Sequence, residues 1–220
     1  MSLKAIGAAL AVLALFSFAF IGMYGIQKQR AEKKEEFYTY NSFTFVHRGG
    51  LWLTQVQEPN GPRLFTVALH YSPRELEDVS IEGPLSKGFI DAGYAYISVD
   101  PDAILDTENV SIATAGSHTG LSAAELTLVM AKAIGRTPIA ACTRNESSAC
   151  ASRPIAPCSF QGAPTVYLKP EGEANVTFAG DCIMLTGAGT ELLRSVDRLL
   201  LHWLGVMRAQ PSGPVQLVPR

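Results

Sequence analysis

The stretch Ala5 to Ile26, AIGAALAVLALFSFAFIGMYGI, contains no charged residue and constrains the chain more than any other. As a helix rising about 1.5 Å per residue it reaches roughly 33 Å, enough to cross a hydrocarbon core of about 30 Å. The sequence therefore predicts a single transmembrane anchor over 1–27, a charged neck over 28–37 and a globular body over 38–208. A sub-boundary is expected near 83–92, and a loose tail over 209–220. The lipid bilayer is the first partner this implies. A cleaved signal peptide is the rival reading, since Ser17-Phe18-Ala19 fits a small-x-small cleavage site. The apolar run continues through Tyr24 to Ile26, as a span requires and a signal peptide does not. A pilin-like filament subunit is a further alternative, although the glutamate expected early in such a helix is missing.

Orientation rests on opposed signals. Lys28, Arg30, Lys33 and Lys34 follow the span and favour a cytoplasmic neck. Glu32, Glu35 and Glu36 dilute that charge. Four cysteines, Cys142, Cys150, Cys158 and Cys182, fit two disulfides formed in an oxidising compartment. Their spacing lacks the short hooks of zinc modules. Pairing Cys142 with Cys150 and Cys158 with Cys182 is one of three connectivities, and spacing leaves all three open. Three N-x-Ser/Thr sequons begin at Asn109, Asn145 and Asn175. Together these place the domain on the extracytoplasmic side. The net charge of −2 offers nothing to draw a phosphate backbone, so nucleic acid is not an expected partner.

Beyond the neck, whose Lys and Glu suggest that the span continues a turn or two as helix, periodicity of two marks strands at Asn41–Arg48 and Leu51–Gln57. Gly49-Gly50 lies between them as a two-residue hairpin. After the turn Pro59-Asn60-Gly61-Pro62, a third strand follows at Arg63–Tyr71. Ser72-Pro73-Arg74-Glu75 is a capping box opening a short helix. Gly93 to Asp100 reads as another strand, followed by the acidic residues Asp100, Asp102, Asp106 and Glu108, which lack calcium-loop spacing. Ser122-Ala123-Ala124-Glu125 reads as a second capping box, before a helix ended by Gly135 and Pro138. Strands are predicted at Thr137–Cys142, Thr165–Lys169, Asn175–Ala179 and Cys182–Thr186, then a helix capped by Thr190. The fold class is α+β: an antiparallel meander and a mixed sheet with two amphipathic helices packed on it. The meander either extends that sheet or forms a small separate one.

No motif carries convincing chemistry. Gly187-Ala188-Gly189 begins like a dinucleotide loop, but Leu192 occupies the third glycine's place. His118, among hydroxyls in Ser117-His118-Thr119-Gly120, is the one catalytic candidate, with Asp100 or Asp181 to orient it. His47, His70 and His202 show no metal-ligand spacing, and neither a cofactor nor a metal is expected. The cysteines lack the close spacing of a redox pair.

The segments AACTRNESSACASRPIAPC, GDCIMLTGAG and VDRLLLHWLG resemble a group of short, membrane-anchored, uncharacterised archaeal proteins over roughly Asn41 to Val206. The resemblance implies a single anchor with a compact domain and brings no activity or functional residue with it. The expected function is accordingly that of a non-catalytic accessory or interaction subunit of a membrane or envelope assembly. A membrane-tethered hydrolase using His118 is the alternative.

Overall fold

The computed structural model of the chain describes residues 36–59, 61–102, 110–159 and 162–208, with backbone alone for 110–117. The predicted anchor, most of the neck, the tail and the Asn109 sequon lie outside the described residues. Among the described residues no helix is long and apolar enough to cross a membrane.

Four strands form an antiparallel meander in the order β1-β2-β3-β4: β1 (Glu36–Tyr40), β2 (Phe43–Arg48), β3 (Leu51–Gln57) and β4 (Leu64–Leu69). Glu36 and Phe37, expected to be the last residues of the charged neck, are strand residues, because β1 finds an edge to pair with on β2. Gly49 and Gly50 both take positive φ, which suits the tight turn that sets Arg48 opposite Leu51. Along β3 the alternation resolves one way: Trp52, Thr54 and Val56 are buried while Gln55 and Gln57 face water.

The predicted capping box at Ser72 is present, with the Glu75 carboxylate accepting from the Ser72 N–H at 2.8 Å. It starts a single 3-10 turn, Pro73–Leu76. After β5 (Ile81–Glu82) comes a short helix missed in the sequence, α1 (Lys87–Asp91), whose cap is the Ser86 hydroxyl accepting from Phe89 N–H. Gly83, with φ +86°, sits so close to the backbone of Phe178 that a Cβ there would lie 2.1 Å from its carbonyl oxygen.

The second sheet is separate from the meander and mixed, in the order β5-β9-β10-β8-β6-β7. Its strands are β6 (Tyr94–Val99), β7 (Thr137–Cys142), β8 (Thr165–Lys169), β9 (Asn175–Ala179) and β10 (Cys182–Thr186). β7, β6, β8 and β10 run parallel; β9 opposes β10 across the turn at Gly180-Asp181. β6 and β7 are neighbours, so their link must cross over, and α2 (Val110–Val129) supplies the crossover. The Ser122 capping box is thereby corrected. The helix begins twelve residues earlier, at Val110; Ser122 is fully buried within it and its hydroxyl is unpartnered. The last turn widens to a π-helix over Met130–Ile134 and stops at Gly135, φ 76°.

The last helix, α3 (Thr190–Trp203), starts one residue earlier than predicted, since Gly189 and not Thr190 holds the N-cap position. Leu192, Val196, Leu199 and Leu200 are fully buried. Packing against both β9 and β10 and against α2, α3 joins one core that also takes in Phe45, Val67 and Leu69 of the meander. Both disulfides brace the long β7–β8 connection. Cys142 is bonded to Cys150 within it, and Cys158 bonds Cys182 at the start of β10, with Cα–Cα distances of 5.9 and 5.4 Å.

Candidate functional site

Three polar side chains far apart in sequence meet where β4 ends. His70 is the first residue after β4, Glu125 lies on the inner face of α2, and Asp197 lies on α3 between Val196 and Arg198. On α2 and the π-helical turn that ends it the buried positions among the described side chains are Thr119, Ser122, Glu125, Leu126, Val129, Met130 and Ala133, spaced for one helical face. Glu125 is therefore carried inward by the register of its apolar neighbours. Asp197 is carried inward in the same way on α3.

Asp197 is fully buried. Its Oδ2 accepts from the backbone N–H groups of His70 and Tyr71, each at 2.8 Å. This fixes the chain as it leaves β4. Glu125 is 8 % exposed, and its Oε2 stands 3.1 Å from His70 Nδ1. The imidazole is partly exposed and forms the solvent side of the cluster. One ligand atom from each of the three residues lies within 4.8 Å of the others. The remaining oxygens, Glu125 Oε1 and Asp197 Oδ1, are buried and receive no N–H or hydroxyl donor, and the two carboxyls are within hydrogen-bonding reach of each other once one is protonated.

Burial pushes the Glu125 carboxyl up, against the lowering effect of contacts with Asp197 and His70. Burial likewise pushes Asp197 far up, and the neighbouring Glu125 charge adds to it, while the Tyr71 and His70 amides pull the other way. Two carboxylates this close, in a poorly solvated place, resist ionising together, and the pair retains a proton that free carboxyls would lose. Chemically the arrangement holds either a shared proton or a cation.

The residues singled out in the sequence are placed elsewhere. His118 lies on α2, partly buried, with Nδ1 lacking a hydrogen-bond partner. Of its two proposed orienters, Asp100 receives Arg144 Nη2 at 2.8 Å and Asp181 receives the Ser86 hydroxyl and the Gly162 N–H. The acidic stretch after β6 accordingly acts, at Asp100 and Asp102, as a clamp on Arg144. The Gly187-Ala188-Gly189 turn has its first two amides engaged: Gly187 N–H donates to the Lys169 carbonyl and Ala188 N–H to that of Gly172. A phosphate would find neither free. Asn145 is exposed on the disulfide-bonded loop, whereas Asn175 Nδ2 donates to Thr177 of its own sequon.

Sequence reasoning missed His70, Glu125 and Asp197 as a group because 55 and 72 residues separate successive members. The available signal was a charge on the apolar face of each amphipathic helix; nothing in the sequence says that the two charges meet. No protein-family model matches the chain, and neither a curated protein nor a solved structure matches it.

Proposed function

We propose that the chain is a single-pass membrane-anchored domain, displayed on the extracytoplasmic side, that serves as a non-catalytic accessory subunit for other membrane or envelope proteins. The observation that carries this reading is the outer face of α2. Leu121 and Leu128 are 42 % and 52 % exposed, two turns apart, and Ala124 and Ala131 continue the same exposed row. A helix already buried on one side has no need of leucine on the other for its own folding. Covering the remaining exposed half of each leucine is worth roughly 0.7–1.5 kcal/mol. That is a small gain for two freely diffusing proteins, but tethering to one membrane raises the effective concentration and lets a small face suffice. The two disulfides support an oxidising setting. A tethered hydrolase draws no support from Asp100 or Asp181, whose carboxylates serve Arg144 and Ser86.

The test is purification of the full chain from membranes in mild detergent beside the double variant Leu121→Lys, Leu128→Lys. The expected result is a reproducible set of membrane proteins with the natural chain and their loss with the variant, whose thermal midpoint stays within a few degrees. Equal recovery with both would remove the α2 face from the proposal.

A further inference from the structure

The cluster beneath β4 has a property that the docking role of α2 does not require. We propose that His70, Glu125 and Asp197 form a binding site for one divalent transition-metal cation of the zinc class, with a further coordination position open to solvent beside the imidazole. The donors come from three elements, β4's exit, α2 and α3, and meet within 4.8 Å. His70 Nδ1 and Glu125 Oε2 already stand 3.1 Å apart. That is close to the edge of a tetrahedron drawn around a cation at about 2.0–2.1 Å from its ligands.

Two further observations point the same way. Glu125 Oε1 and Asp197 Oδ1 receive no N–H or hydroxyl donor, both side chains are more than nine-tenths buried, and the only hydrogen bond between the two carboxyls is one that needs a proton held between them. Buried carboxylate oxygens are ordinarily satisfied by hydrogen bonds or by a positive charge. Among the described residues neither carboxyl has an arginine or lysine partner; Arg198, next to Asp197, turns away to the carbonyls of Val79 and Arg208. Asp197 also has the support a ligand needs, because its other oxygen is fixed by two backbone amides.

The donor set selects the cation. An imidazole nitrogen with two carboxylates suits zinc, manganese or iron(II), and disfavours calcium and magnesium, which take oxygen ligands. A dication with two carboxylates and a neutral imidazole leaves the buried centre uncharged. Binding releases the proton shared by the carboxyls to solvent, and the neutral imidazole binds through Nδ1 with its own proton on Nε2, so one proton is released as the metal–ligand bonds form.

The test uses the full chain in detergent, stripped with a chelator and titrated with Zn2+ at neutral pH. One equivalent of Zn2+ is expected to bind in competition with a chromogenic chelator. With free Zn2+ a hundredfold above Kd, the thermal midpoint should rise by about 5–10 °C. Mg2+ should leave the midpoint unchanged. The variant His70→Gln changes the partly exposed member and leaves the Asp197 clamp on the backbone intact; it should lose the Zn2+-dependent rise while keeping its metal-free midpoint. Asp197→Asn, if folded, should lose it too. A natural chain unmoved by Zn2+, or a rise of equal size in His70→Gln, would overturn the site and leave the cluster as a proton-sharing pair.

Discussion

Glu125 shows how one residue changes meaning between sequence and structure. Three positions after Ser122 it has the spacing of a capping box, and in an isolated segment that is the reading local rules give. In the fold it is a buried acid facing Asp197 and His70. Because burial raises both carboxyls, the folded protein holds a proton across a pH range in which the unfolded chain has released it. Stability from this pair is therefore greatest below the ordinary carboxyl value of about 4 and falls as pH rises from there through the raised value. Glu125→Gln removes one of the two titrations. In chelator, its denaturation free energy should fall less steeply than that of the natural protein between pH 4 and 7. Parallel slopes would mean that the pair does not share a proton.

At the scale of elements, the β7–β8 connection is the least regular part of the described chain, and two crosslinks hold it. The Cys158–Cys182 bond closes a loop between residues 24 apart and ties it to the start of a central strand. Chain-entropy arguments give a bond of this span about 3 kcal/mol. The double variant Cys158→Ser, Cys182→Ser should lose stability of that order in urea melts, with the β-sheet signal of the native protein retained. A change under about 0.5 kcal/mol would show that strand pairing alone holds the loop. Boundaries at this scale were readable where a local rule governs them. Four strands of the mixed sheet, from Thr137–Cys142 to Cys182–Thr186, have the residues that alternation and turn chemistry assign. The start of α2 was not readable: its first turns carry Ser, Thr and Gly, which favour caps and turns, and the crossover from β6 to β7 extends it to Val110 regardless.

At the scale of the whole molecule, every cysteine is engaged in a disulfide. Thiol labelling of the denatured, unreduced protein purified from its own membranes should modify no cysteine, and reduction should expose four. Four labelled thiols before reduction would return the domain to a reducing compartment. By itself the sequence determined what depends on neighbours along the chain: the strands other than β1 and β5, the Gly49-Gly50 hairpin, the amphipathic last helix, and the α+β class that follows from their order. The tertiary structure alone decided that the meander stands as its own sheet, which cysteines pair, and that a histidine and two acids converge beneath β4. Those outcomes depend on which distant faces pack together, and one core joining both sheets and both long helices sets that, by a summed burial that no local window contains.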